Sequence, residues 1–294
     1  MKQGLSVVVP CFNEAKSLPA VLPELIAFIN DREYNLVIVN DGSKDDSLKI
    51  IDEHFEGQSR CKVVNHKVNR GYGGAIKSGI LATESIYCIT IDADGQHLLE
   101  DVDKLYNIIL ENNADMVVGS RKGLQEASAF RGFGKSIIRN IAKFLMPVNV
   151  FDINSGMKIY NAELAKKYLP LIPNSMAFSD IITLVFINQR NLVMEEPIRI
   201  KSRVAGESTI NIRTAYDTLL EIINIVMLFN PMRIFLPLAT FFFLAGFIWE
   251  IPILLRGVGV SVGAGMLMAL GMLFFMLGLI TEQLSQIRKM LINQ

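Results

Sequence analysis

Two long apolar runs close this chain of 294 residues. The first spans Ile234 to Leu255 and is broken mainly by Pro237, Glu250 and Pro252. The second spans Gly257 to Thr281 and holds no charged residue. A bilayer core of roughly 30 Å is crossed by about 20 apolar residues in a helix. Both runs are long enough, and only Arg256 and a few glycines lie at their junction. The expected form is a transmembrane helical hairpin with both chain ends on one side. Whatever precedes it works beside a membrane, and a partly lipidic substrate is expected.

The length leaves one domain of about 200 residues ahead of this anchor. Twenty-nine basic and 29 acidic residues cancel, which argues against a nucleic-acid binder that works through bulk charge. Cys11, Cys61 and Cys88 are scattered without metal-ligand spacing and suit reduced thiols in a cytosolic domain. Met1-Lys2-Gln3-Gly4 leads directly into a strand, so no signal peptide is expected. Arg233 precedes the first apolar run, and Arg288 and Lys289 follow the second, against only Arg256 at the junction. The positive-inside rule then places the preceding domain and the C-terminus in the cytoplasm, with the protein in the cytoplasmic membrane.

Ahead of the anchor, short β-branched runs alternate with helical patterns. Strands are expected at Leu5–Pro10, Leu36–Asn40, Cys61–Asn65, Ile86–Ile91 and Met116–Gly119. Helices are expected at Ser17–Asn30, Asp46–Phe55, Gly74–Ala82 and Leu98–Asn112. This rhythm predicts an α/β domain with a mostly parallel sheet. Ligands of such sheets bind beyond the carboxyl ends of the strands. Polar clusters fall at those ends: Asn13-Glu14, Asp41-Gly42-Ser43 and Asp92-Ala93-Asp94.

Asp92 and Asp94, two residues apart just past a strand, can share a hard divalent cation with a diphosphate. Alone, such a pair reads more often as a solvated turn; the two companion clusters favour the site. Asp41 can accept hydrogen bonds from a base or ribose, while Ser43 or Asp45 can cap the following helix. Phe12 offers a stacking face. Asn69-Arg70-Gly71-Tyr72-Gly73-Gly74 brings backbone N–H groups to a helix start, which suits an anion. His54 and His66 read as surface residues, and His97 as a neighbour of the site.

The ordered set Val9-Pro10-Cys11-Phe12-Asn13-Glu14, Asn40-Asp41-Gly42-Ser43, Asn69-Arg70-Gly71-Tyr72-Gly73, Asp92-Ala93-Asp94-Gly95-Gln96-His97 and Gly119-Ser120-Arg121 resembles glycosyltransferase family 2. More narrowly it is similar to the polyprenyl-phosphate glycosyltransferases, the dolichyl-phosphate mannose synthase group and its bacterial glucosyl relatives. The resemblance implies a GT-A nucleotide-sugar fold over residues 1–210, a juxtamembrane amphipathic helix over 211–231, and two transmembrane helices with a short tail over 232–294. It places Pro10, Phe12, Glu14, Asp41, Gly42, Gly71 and Asp92 around a UDP- or GDP-linked sugar. Asp92, Asp94 and Gln96 would hold Mg²⁺ or Mn²⁺. Asp94, Arg121, Asp152 and Arg203 would serve the reaction, Arg121 facing phosphate. Asp152-Ile153-Asn154-Ser155-Gly156-Met157-Lys158 matches the family's Asp-x-x-Ser-Gly-Phe-Arg, with Met157 for an aromatic and Lys158 for arginine. Arg203, Gly206 and Ser208 match a further element in which Thr209 replaces the usual lysine.

Arg131–Met146 shows an apolar stripe beside Lys135, Arg139 and Lys143, spaced four apart. That pattern suits a helix lying on an anionic membrane surface, or one packed on the sheet with its basic face in water. The resemblance puts lipid-phosphate contacts nearby, on Arg131, Ser136 and Arg139. Thr214–Phe229 is a second apolar helical pattern. In the spans, Met266, Met268, Met272 and Met276 read as packing residues, and Gly259 and Gly263 as a helix contact or a loop. Glu250 reads as exposed at the outer interface.

The resemblance implies inverting transfer of one sugar to a polyprenyl phosphate (undecaprenyl or dolichyl) on the cytoplasmic face, and a homo-oligomer is compatible with it. A processive polysaccharide synthase is the first alternative, though such enzymes carry Gln-x-x-Arg-Trp, and here the single tryptophan is Trp249 inside the anchor. A non-catalytic membrane scaffold with a degenerate transferase fold is the second.

Overall fold

The computed structural model describes residues 2–121, 150–201 and, apart from Val258 and scattered positions between 221 and 228, residues 220–292. It forms two compact units, one from the residues up to Lys201 and one from the C-terminal hairpin. The expected helix around Arg131–Met146 and the segment holding Arg203 lie outside the described residues, as does most of Thr214–Phe229.

The first unit is a seven-stranded sheet flanked by helices. Its elements are β1 Lys2–Cys11, α1 Leu18–Arg32, β2 Asn35–Asn40, α2 Ser47–Phe55, β3 Cys61–Asn65, α3 Tyr72–Ala82, β4 Ser85–Thr90, α4 Leu99–Glu111 and β5 Met116–Ser120. Then follow β6 Lys158–Asn161, α5 Ala162–Tyr168, α6 Phe178–Asn188 and β7 Val193–Pro197. The strand order is β3-β2-β1-β4-β6-β5-β7. β1 pairs in parallel with β2 and β4, β2 with β3, and β5 with β7. β6 is antiparallel to both of its neighbours, β4 and β5. The five strands and four helices expected up to Gly119 are present within a few residues; β6, β7, α5 and α6 were not anticipated.

Val7, Val8, Val9, Leu36, Val37, Ile38 and Val39 are buried, because helices cover both faces of the central strands. Leu22, Leu25 and Ile29 of α1 and Val102, Leu105 and Ile109 of α4, at helical spacing, meet the same core. α3 sits closest to the sheet. A Cβ at its Gly79 would stand 3.1 Å from Val39 Cγ2 and closer still to Val8 Cγ1. Since β5 runs in the sense of β4, the ends of β1, β2, β4 and β5 and the start of β6 share one rim. Thr90 and Val118 both pair with Lys158 there.

The second unit pairs α7 (Met232–Leu255) with α8 (Val262–Ile292). Both helices are long and apolar enough to cross a membrane. Cβ atoms at Gly246, Gly271 and Gly278 would meet Ala264 O at 2.7 Å, Phe243 N at 2.7 Å and Phe235 Cβ at 2.8 Å. Low numbers on one helix thus face high numbers on the other, which is an antiparallel hairpin. Phe242 stacks on Phe274 with centroids 5.5 Å apart.

The anchor refines two expectations and corrects a third, that for Glu250. Gly259, with φ +103°, takes the loop role of its two readings, and a Cβ at Gly263 would lie 3.6 Å from the Trp249 ring of α7, while tighter helix contacts fall at Gly246, Gly271 and Gly278. Met266 and Met276 are exposed, Met272 lines a groove with Leu236 and Phe243 of α7, and Met268 packs at Gly246. Glu250 is 5% exposed, and both its carboxylate oxygens accept from Ser261 N, at 3.2 and 3.1 Å. A helix start leaves backbone donors without intrahelical partners, and a carboxylate satisfies one of them.

Gly79→Val should lower the thermal midpoint of the protein in detergent, with an overpacking cost of about 1–3 kcal/mol. An unchanged midpoint would show that α3 has freedom to move off the sheet.

Candidate active site

At the end of β1 the chain turns through Asn13, whose φ of 57° is left-handed. Four bonds then stitch this loop to the one after β2. Asn13 N donates to Ser43 Oγ at 3.0 Å, Glu14 N to Ser47 Oγ at 2.9 Å, Ala15 N to Asp45 Oδ2 at 3.1 Å, and Lys44 N to Asn13 Oδ1 at 2.8 Å. Ser43 is therefore occupied by the β1 loop. Asp45, the other cap candidate, accepts from Ser47 N at 3.1 Å. The Glu14 carboxylate turns toward the start of α1 and accepts from Ser17 Oγ at 2.6 Å.

A cavity of about 630 Å³ opens beside these loops, lined by Phe12 and Gly42 among others, with Lys44, His66 and Val68 across it. Phe12 is 43% exposed there, free to stack on a planar group. Gly42, with φ +69°, is required: a Cβ would lie 2.7 Å from Asn69 N. Pro10, Glu14, Asp41 and Gly71 do not line the cavity.

Asp41 is buried behind it. Arg70 N and Gly71 N donate to its two oxygens, each at 2.9 Å, and His66 Nδ1 lies 2.6 Å from Oδ1. An ionised carboxylate only accepts, so Nδ1 carries the hydrogen. His66 Nε2 lies 2.8 Å from Ser78 Oγ on α3. At 5% exposure His66 is a core residue, contrary to the surface position expected for it. Its partners come from β2 and α3, so no local pattern marks them. His54 is half-buried, with Nδ1 at 2.8 Å from Ile50 O.

In the glycine-rich turn several amides are taken up internally. Gly71 N is taken by Asp41 and Asn69 Oδ1, and Gly74 N donates to Asn174 O at 3.3 Å. Gly71 N and Gly74 N thus satisfy groups of the protein itself and are not available to an anion.

Asp92 and Asp94 follow β4 at the rim. Tyr72 Oη donates to Asp92 Oδ1 at 3.0 Å, and His97 Nε2 lies 3.4 Å from Oδ2. Partial burial opposes ionisation of Asp92, but the His97 and Tyr72 hydrogen bonds and the Arg121 charge outweigh it and hold its pKa below the ordinary range. Burial, and next the Asp92 charge, push the Tyr72 phenol well above its usual value. Asp94 is buried, and its Oδ1 accepts from Gln96 N at 3.1 Å. Gln96 is anchored to Lys201: Lys201 N donates to Gln96 O at 2.9 Å, and Gln96 Nε2 to Lys201 O at 3.4 Å. His97 Nδ1 is buried without a hydrogen-bond partner among the described residues. No group of three His, Cys, Asp or Glu side chains with metal-binding geometry occurs among the described residues. The donor set at the rim is two carboxylates and one amide oxygen. Gly156 leaves open the space beside Asp92, where a Cβ would fall 2.7 Å from Oδ2. Such a set fits a hard cation that takes its remaining ligands from a diphosphate.

Beyond β5, Arg121 grips Asp152 instead of pointing freely at a ligand. Arg121 Nε and Nη2 donate to the two carboxylate oxygens at 2.7 and 2.8 Å, and Arg121 N adds a third bond at 3.0 Å. Burial works against the Asp152 charge, but the Arg121 bonds and charge prevail and keep its pKa below the carboxylate range. A carboxylate held this way is a poor base. The arch around Asp152 is pinned further by Glu195 of β7, whose oxygens accept from Phe151 N and Asp152 N at 2.9 Å each. Lys158 is wholly buried, and its ammonium donates to Ile153 O at 2.7 Å and to Ser179 O. Burial drives the Lys158 pKa down and that of nearby Asp180 up, while their opposite charges resist both shifts. Lys158 thus braces the arch from inside. Tyr72, Glu195 and the bracing role of Lys158 were not foreseen, because each acts on a partner distant in sequence. Arg131, Ser136, Arg139 and Arg203 lie outside the described residues.

Asp152→Asn should cost roughly 1–3 kcal/mol at neutral pH, the worth of charged hydrogen bonds. With a depressed folded pKa, the Asp152 contribution is complete above about pH 4 and is lost as pH falls through the lower folded value. The gap in melting temperature between variant and parent should therefore close only in acid. A gap that is constant down to pH 2 would contradict the ion pair.

Comparison with known proteins agrees with this geometry. The glycosyl transferase family 2 model matches residues 6–169, over half the chain, and the GtrB C-terminal hairpin model matches residues 230–287. A dolichyl-phosphate beta-glucosyltransferase of Dictyostelium discoideum is 31% identical over 212 residues, 65% of this chain and 64% of that protein. The human protein of the same name is 30% identical over 182 residues, 55% of this chain and 56% of its own length. The chain thus spans less than two thirds of these curated relatives. An uncharacterized protein of Methanocaldococcus jannaschii is 30% identical over 231 residues, 76% of this chain and 92% of the relative. Among solved structures, glucosyl-3-phosphoglycerate synthase from Mycobacterium tuberculosis, in complex with Mg²⁺ and uridine diphosphate, superposes with a TM-score of 0.58 at 16% identity, over 76% of this chain and 79% of that one. At that identity the likeness speaks for the fold: a GT-A-like sheet. The chain belongs to glycosyltransferase family 2.

Proposed function

We propose that this protein transfers a single sugar from a nucleoside diphosphate sugar to a polyprenyl phosphate at the cytoplasmic face of a membrane. The observation that carries the reading is one sheet rim bearing both an open cavity with a stacking aromatic and the Asp92–Asp94 pair, in a chain that ends in a bilayer-length hairpin. The names of the relatives make glucose the first donor sugar to test and polyprenyl phosphate the first acceptor. The flanking positive charges support a cytoplasmic catalytic domain.

In this reading the nucleoside occupies the cavity, with Phe12 stacked on its base. Mg²⁺ or Mn²⁺ bound by Asp92 and Asp94, with Gln96, would supply positive charge against the departing diphosphate. An acceptor phosphate oxygen attacks the anomeric carbon as the bond to the diphosphate breaks, which inverts the anomeric configuration. A phosphate monoester is already ionised near neutral pH, so no strong base is needed. That agrees with Asp152 as an orienting group bound to Arg121. Arg121 and Arg203 would contribute fixed positive charge, and Arg131, Ser136 and Arg139 would meet the lipid phosphate. The absence of Gln-x-x-Arg-Trp, with Trp249 inside α7, disfavours a processive synthase.

Membranes containing the protein, supplied with labelled nucleotide sugars and polyprenyl phosphate, should yield a labelled lipid that mild acid hydrolyses. Asp94→Asn should cut turnover more than ~100-fold, beyond the loss typical of residues that merely support a metal ligand. Turnover near the parent level at saturating Mn²⁺ would overturn the cation role of this pair.

A further inference from the structure

The segment Gly71-Tyr72-Gly73-Gly74 holds groups that phosphate chemistry does not account for. The amides of Gly71 and Gly74 are already bound by Asp41, Asn69 and Asn174. The glycines answer a different need. A Cβ at Gly71 would lie 2.7 Å from Asn174 O, and one at Gly73 would lie 2.7 Å from Pro173 O and 2.8 Å from Ser175 O. Gly71 also has φ +85°. The turn therefore lies backbone to backbone on the loop at 173–175, a seat that no residue with a side chain could take unchanged. That seat sets where the first residue of α3 points. This residue is Tyr72, and its hydroxyl reaches Asp92 Oδ1 at 3.0 Å.

Asp92 is thereby held from two sides, by Tyr72 at Oδ1 and His97 Nε2 at 3.4 Å from Oδ2, while the space toward Gly156 stays open. Its side chain remains 37% exposed. Each carboxylate oxygen has two lone pairs, so one phenol leaves room for a cation. Ligand carboxylates are commonly oriented by such outer hydrogen bonds, whose loss weakens metal binding.

We propose that Tyr72 is a positioning residue that holds the Asp92 carboxylate in the orientation a divalent cation requires, and that the surrounding glycines exist to place it. The inference rests on the cation role given above to Asp92 and Asp94. It gives the glycine-rich motif a role on the metal side of the site.

The test is a Mn²⁺ titration of the full chain in detergent with UDP present, reading free Mn²⁺ by electron paramagnetic resonance. The chains compared are the parent, Tyr72→Phe, Tyr72→His and Asp94→Asn. The dissociation constant should rise ~10–100-fold in Tyr72→Phe, the range for lost support of a metal ligand. UDP binding without metal should stay at the parent level, which reports an intact fold. Tyr72→His, which can still donate, should recover part of the affinity. Parent-like Mn²⁺ affinity in Tyr72→Phe beside a loss in Asp94→Asn would overturn the role of Tyr72 alone. Undiminished Mn²⁺ binding in both Tyr72→Phe and Asp94→Asn would overturn the cation reading and this inference together. Equal weakening of Mn²⁺ and metal-free UDP binding in both Tyr72 variants would mark a structural role and overturn the inference.

Discussion

The parallel register of β1, β2 and β4 is the constraint on which the rest of the catalytic unit depends. Parallel strands need crossovers, so every strand end on one side opens into a loop, and those loops gather on one rim. That rim is a line of exposed backbone ends, and the chain fills it with side chains that bind each other before any ligand. Asp41 takes the amides of the glycine-rich turn, Asp152 takes Arg121, and Tyr72 and His97 approach Asp92. The site is organised by internal hydrogen bonds that leave Phe12 and the partly exposed Asp92 carboxylate facing outward.

β6 adds a second constraint. As the antiparallel strand it enters the sheet from the rim, between β4 and β5. Its first residue, Lys158, brings a positive charge into the core beneath the Asp152 arch. Removing one partner from a buried charged cluster leaves the other uncompensated, which is costly. The arch is accordingly braced by Lys158 below, Glu195 on β7 and Arg121 at its tip.

Much of this was legible in the sequence. The alternation of β-branched runs with helical patterns located five strands and four helices, because both periodicities are local. The acidic clusters stood out because they end those strands, and the hairpin because its length and composition match a bilayer. β6 was not legible: four residues beginning with a lysine carry no strand signal, and its place depends on partners some 40 and 70 positions back. His66 and Glu250 share the same difficulty. Their residue types favour solvent, and only a tertiary partner makes burial tolerable. The glycine-rich turn was visible, but a run of glycines announces close approach without saying to what.

The bond between Glu250 and Ser261 has a mechanical consequence for the anchor. It ties the end of α7 to the start of α8 at the tip, while glycine contacts clamp the pair along its length. Two rods fastened at the tip and along the shaft cannot slide past one another. A change in bilayer thickness would be answered by leaning of the whole pair as a single lever, with neither rod shearing against the other.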